Sequence, residues 1–97
     1  MEAKKPDEGK RKVEVRGHEF EVNDEFAKSW AALKMYRKFN DDDLDVMDKL
    51  DLSFELIRLS TGCGEDAIVE LAGGEMAPAT EIVNLAAEIV QAINPKN

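Results

Sequence analysis

With 97 residues, 43% hydrophobic and 35% charged, the chain suffices for one domain with a modest core and is too apolar to be disordered. Its net charge of −8 is uneven: residues 1–38 hold ten Lys+Arg against eight Asp+Glu (+2), residues 39–97 three against thirteen (−10). That balance argues against nucleic-acid binding through a basic patch, and no apolar run approaches the ~18 residues of a membrane span. The start, Met-Glu-Ala-Lys-Lys-Pro, lacks the apolar core of an export signal, and the single Cys63 cannot form an internal disulfide, so a reducing cytoplasm is expected.

Residues 1–11 (MEAKKPDEGKR) are charged and carry Pro and Gly, the composition of a flexible tail, with Lys10, Arg11 and Lys12 as a solubilising basic cluster. Residues 12–97 are expected to form a single domain. In K-V-E-V-R-G-H-E-F-E-V, apolar and polar residues alternate with the period of a half-buried strand. A two-residue turn at Gly17-His18 would pair Val15 with Phe20 and Val13 with Val22, all four on one face. A lone hairpin is marginal in water, so that face must lie on helices.

A first helix is expected from Asp24 to about Lys38, capped by Asn23 or Asp24 and buried through Phe26, Trp30, Leu33 and Tyr36 or Arg37. Lys34, Arg37 and Lys38 suit its negative end. The run Asn40 to Asp43 breaks it and caps a second helix over Leu44–Ser60. There Leu44, Met47, Leu50, Phe54 and Ile57 form one stripe and Leu52, Leu56 and Leu59 another, so this helix belongs at the centre, with a kink conceivable at Asp51-Leu52-Ser53. Gly62 and Gly64 stop it. A short helix follows over Glu65–Ala72, with Ile68, Val69 and Leu71 inward, ended by Gly73-Gly74.

The last helix, Thr80–Ile93, begins near Pro78 and is the most apolar. Ile82, Leu85, Ala86, Ile89 and Ile93 fall on one stripe at ~100° per residue. Val83, Ala87 and Val90 widen the arc to about 220°, against an ordinary width of a little over 100°. Either neighbouring elements cover that flank or another molecule does. Val83, Ala87 and Val90 are therefore the candidate partner-binding residues, and Val90→Glu separates the alternatives: an unfolded product means core, a folded product without its partner means interface. The expected fold is α+β and mostly α, an N-terminal hairpin packed on three to four helices.

No residue pattern supports catalysis, a cofactor or a metal, so a non-enzyme is expected. His18 sits in the expected turn as a solvated side chain. Glu65 and Asp66 disfavour a thiolate at Cys63. Asp41, Asp42, Asp43 and Asp45 suggest calcium, but a loop starting at Asp41 puts Val46 where Gly is needed and Leu52 where Glu is needed. A solvated helix cap explains the run better. Gly62, Gly64, Gly73 and Gly74 are followed by no Lys-Ser/Thr and make no phosphate loop. Trp30, Tyr36 and Phe39 read as core aromatics rather than a binding patch.

The order V-E-V-R-G-H-E-F-E-V-N, F-A-K-S-W-A-A-L-K-M-Y, a central helix, G-E-D-A-I-V-E-L and L-A-A-E-I-V-Q-A-I resembles the small tail assembly chaperones of long-tailed (siphovirus-type) bacteriophages and prophages, over residues 12–94. In that family a strand pair with a G-x-x-[FY]-x-[VL] ending leads into a helix, and an acidic, apolar helix closes the chain. The resemblance implies a protein that binds the tape measure protein in the host cytoplasm, keeps it soluble until the tail tube forms, and is absent from the mature virion. It implies no catalytic residue, and it admits tail tube subunits as further partners. A frameshifted C-terminal extension occurs in many such systems. Pro95-Lys96-Asn97 could be encoded CCA-AAA-AAC, which contains a slippery heptamer. No nucleic-acid or membrane partner is expected, and homo-oligomerisation is open. The rival reading is an acidic inhibitor or DNA mimic using Asp41, Asp42, Asp43, Asp45, Asp48 and Asp51 as phosphate surrogates in a basic groove.

Overall fold

A computed structural model of the protein describes residues 11–94. The tail residues 1–10 and the Pro95-Lys96-Asn97 ending lie outside the described residues. Strands β1 (Lys12–Val15) and β2 (His18–Glu21) form an antiparallel hairpin. Helices α1 (Asp24–Ala27), α2 (Trp30–Phe39), α3 (Val46–Thr61), α4 (Glu65–Leu71) and α5 (Thr80–Ile93) follow. This is the expected α+β, mostly α arrangement.

The hairpin turn lies one residue earlier than expected. Arg16 (φ 54°) and Gly17 (φ 77°) are its central residues, and Val13 pairs with Phe20 and Val15 with His18. Positive φ at both positions marks a type I′ turn, whose twist matches that of the strands. The shift moves each partner by two residues, so side chains keep their faces: Val15, Phe20 and Val22 are all buried.

Arg16 tolerates this backbone because its side chain is anchored. Nε and one NH2 group donate to the two carboxylate oxygens of Glu88, both at 2.9 Å, and Glu81 accepts at 3.3 Å. Glu81 and Glu88 stand seven residues apart on one face of α5, so the fork fastens the turn to that helix. At the hairpin's other end, Arg11 donates to the Ile93 carbonyl at 2.8 Å and pairs with Asp24 at 2.6 Å. Arg11, assigned by composition to the tail, is thus tied to the body, at the α5 end that favours cations.

The expected first helix is two helices. Asn23 accepts from the Phe26 amide and caps α1, which ends at Lys28. Ser29 then accepts from the Ala32 amide and caps α2. The interruption re-phases the chain: Ala32 and Phe39 are buried, whereas Trp30 is 68% and Leu33 53% exposed. Trp30 is not a core aromatic, in contrast to the sequence expectation; Phe39 is, and Tyr36 is half-buried.

Asp45 caps α3 through the Met47 amide, leaving Leu44 outside the helix. The helix is continuous, without the conceivable kink at Asp51-Leu52-Ser53, and ends at Gly62 in the left-handed conformation (φ 77°). It touches the other four helices. Its fully covered line is Ser53, Leu56, Ile57 and Ser60, flanked by half-buried Leu50 and Phe54 on one side and Leu52 and Leu59 on the other. Met47, expected on the inner stripe, is 59% exposed, because the inner face is set by the contact with α5 and lies past the first turn. Helix α5 buries Leu85, Ala86, Ile89 and Ile93 almost completely against α3, β1 and α4. Pro78 precedes α5, and its carbonyl accepts the Glu81 amide in a tight first turn.

Candidate functional site

Helix α5 covers much of its wide apolar arc within the molecule. Val83 and Val90 are half-buried and packed on the core, while Ala87 is exposed. The three residues remain on one side of the helix, but only the smallest of them is open to solvent.

The other sequence candidates are dispersed. His18 opens β2, with its ring centroid 4.6 Å from that of Phe20. Cys63 packs against the core between Gly62 and Gly64. Asp41 accepts the Asp43 amide and Asp45 the Met47 amide, so part of the acidic run caps backbone locally. Among the described residues, no three His, Cys, Asp or Glu side chains are grouped to hold a metal ion, and no helix is long and apolar enough to cross a membrane.

A cleft of about 540 Å³ opens between α3, α4 and the segment before α5. Leu50 and Phe54, four residues apart on α3, share its floor with Val69 of α4 and Ile82 of α5. These apolar residues are incompletely covered because α4 is short: its two turns reach α3 and α5 through Ile68 and leave the α3 flank open. Glu65, Asp66, Glu70 and Glu75 form the rim, and among the described residues no Lys or Arg lines the cleft. Met47 continues the Leu50–Phe54 line toward the N-terminus of α3 and is 59% exposed. Met76, between the cleft residues Glu75 and Ala77, is 96% exposed. The result is an apolar trough, flanked by flexible thioethers and edged by carboxylates.

A second groove, of about 850 Å³, lies between α2 and α3 and has the opposite charge. Ala31, Met35 and Leu52 supply its apolar surface, and Lys34, Arg37, Lys38 and Asp41 its polar edge. Trp30 and Leu33, also on α2, are exposed but do not line the groove. No acidic residue occurs within α2, and no carboxylate among the described residues pairs with Lys34, Arg37 or Lys38. A third open depression, where β2 and α1 meet the end of α3, is occupied by structural polar groups: Asn23 donates to the Leu59 carbonyl and Asp24 holds Arg11.

The sequence carried signals for these surfaces that periodicity alone misread. Ser29 interrupts the first helical pattern with a capping residue, and Leu50 and Phe54, on the inner stripe by period, are half-buried rather than fully covered. No protein-family model, curated protein or solved structure matches the chain. The fold and site therefore define a mostly helical α+β protein with an acid-rimmed apolar cleft.

Proposed function

We propose that this protein is a tail assembly chaperone of a long-tailed bacteriophage or prophage, a non-enzymatic protein of the host cytoplasm that is absent from the finished virion. Its client is the tape measure protein, with tail tube subunits as further partners. The observation that carries the reading is the acid-rimmed apolar cleft between α3, α4 and the approach to α5. An amphipathic client helix would lay its apolar face on Leu50, Phe54 and Val69. Met47 and Met76 can adjust to different client side chains, because an unbranched thioether has three rotatable bonds. Basic residues flanking the client's apolar stripe would meet the carboxylate rim, which sets orientation and rate more than affinity. The −10 charge of residues 39–97 would keep the assembly soluble.

The cleft favours this reading over a DNA mimic. Of the six carboxylates a phosphate mimic would use, Asp41 and Asp45 are engaged by backbone amides, and none of the six lines the cleft, whose own acids surround exposed carbon. The test is co-expression of the tape measure protein with the chain. The client should be soluble with the wild type and with Ala87→Asp, and should precipitate with a folded Met47→Asp/Val69→Asp variant. Equal solubility with that double variant removes the cleft from the account. Loss of solubility with Ala87→Asp alone would return the site to the Val83–Ala87–Val90 flank.

A further inference from the structure

Helices α2 and α3 meet along a groove whose two walls carry opposite charge. On the α2 wall, Lys34, Arg37 and Lys38 stand three and four residues apart, with Ala31 and Met35 as the floor beside them. Leu52 supplies the floor from α3. A depression of about 320 Å³ continues the groove past Lys38 and Leu52, which border both. There Leu44 extends the floor, and Asp48, Asp51 and Glu55 form the α3 wall. Glu55 is paired with Arg58 at 2.9 Å, but among the described residues Asp48, Asp51, Lys34, Arg37 and Lys38 have no ion-pair partner. All five are exposed. The walls thus face each other across exposed carbon without neutralising each other.

We propose that this groove docks an amphipathic helix of another protein, one whose apolar stripe runs between an acidic flank and a basic flank. The stripe covers Ala31, Met35 and Leu52, the acidic flank meets Lys34, Arg37 and Lys38, and the basic flank meets Asp48 and Asp51. A phosphate chain gains nothing from the apolar floor and is repelled by the α3 wall. A helix basic on both flanks, suited to the acid-rimmed cleft, is repelled by the α2 wall. Turning the bound helix end for end would exchange its flanks, so the opposed walls also fix its direction. Helix α2 has ten residues, about 15 Å, so the contact spans about three turns of the occupant. That buries less than the ~1,200 Å² of a standard interface, so the contact is weak and exchanging. At ~100° per residue Leu52 stands about 160° around α3 from Leu50 and Phe54, so the groove and the cleft can be filled at once. This inference does not depend on the chaperone reading.

Titration of the full chain, labelled with 13C-methyl methionine, tests it. The probe is a synthetic peptide of about two heptads, with Leu at the two core positions, Glu on one flank and Lys on the other. It should shift the Met35 resonance of the wild type at lower peptide concentration than those of Met47 and Met76. Lys34→Glu/Lys38→Glu, shown to be folded by circular dichroism, should weaken that shift about tenfold or more. A second peptide, with Lys on both flanks, should leave Met35 of the wild type in place and move Met35 of the variant, because its walls are then both acidic. This exchange of preference cannot come from a merely structural effect of the substitutions. A wild-type Met35 that the mixed peptide does not move, or moves only together with Met47 and Met76, overturns the proposal. So does a variant that binds both peptides as the wild type does. Met35 moving on dilution of the protein alone would give the groove to a second copy, and Met35 moving with a single-stranded oligonucleotide but not with the mixed peptide would give it to a polyanion; either result also overturns it.

Discussion

Replacing Ile89 and Trp30 by alanine in separate variants distinguishes the apolar residues that hold the fold from those left open. Ile89 is fully buried in α5. Truncation removes three carbons, about 2.4 kcal/mol at ~0.8 kcal/mol each, and the cavity left behind brings the loss to about 3–4 kcal/mol. At about 0.05–0.15 kcal/mol per residue, a domain of this size has a stability on the order of 4–13 kcal/mol. The variant should therefore melt roughly 12–32 °C lower, at ~4–8 °C per kcal/mol. Trp30 is 68% exposed, so its truncation removes little packing, and alanine's higher helix propensity offsets part of that. Its effect should stay within ~0.5 kcal/mol. Urea unfolding followed by far-ultraviolet circular dichroism is the assay, since Trp30 is the sole tryptophan and cannot report on its own replacement. A loss above ~2 kcal/mol for Trp30→Ala, or below ~1 kcal/mol for Ile89→Ala, would refute the division between covered and open surface.

Three further outcomes follow from the polar groups. Arg11 holds the Asp24 carboxyl, and Arg16 the Glu88 carboxyl, below the usual carboxylate range through charged hydrogen bonds. A depressed folded-state pKa stabilises above the unfolded value, near 4, and that stabilisation is lost as pH falls through the folded value. The urea midpoint should thus decline below about pH 4, and Arg16→Ala should flatten the decline while costing up to ~1 kcal/mol at pH 7, as expected for partly exposed pairs. The buried Ser60 hydroxyl has no hydrogen-bond partner among the described residues, so Ser60→Ala should raise the urea midpoint, with a gain of up to ~1 kcal/mol in unfolding free energy. The Asn23 side chain accepts the Phe26 amide to cap α1 and donates to the Leu59 carbonyl, so Asn23→Ala should cost about 1–2 kcal/mol by the same measurement.

Strong local patterns were legible in the sequence. The period of Ile82, Leu85, Ala86, Ile89 and Ile93 gave α5 its bounds, and Gly62 and Gly64 framed the boundary between α3 and α4. Features set by distant partners were not. Arg16 is a poor residue for a left-handed turn position when read alone; its fork to Glu88, 72 residues away, compensates and shifts the register. Ser29 is a local capping signal that the apolar period around it outweighs, and that period alone puts Trp30 inside. The acidic rim was invisible because Glu65, Asp66, Glu70 and Glu75 are strung along a helix and a loop, and only the packing of α4 beside α3 brings them around Leu50 and Phe54.

The methionine methyl groups offer the most direct test of client binding. The chain has four: Met1 lies outside the described residues, Met35 lines the groove between α2 and α3, and Met47 and Met76 flank the cleft. With 13C-methyl methionine in the protein, a tape measure protein helix is titrated in. Binding in the cleft shifts the Met47 and Met76 resonances and leaves Met35 in place. Movement of Met35 alone, or of none of the three, would contradict the assignment of the cleft as the client site.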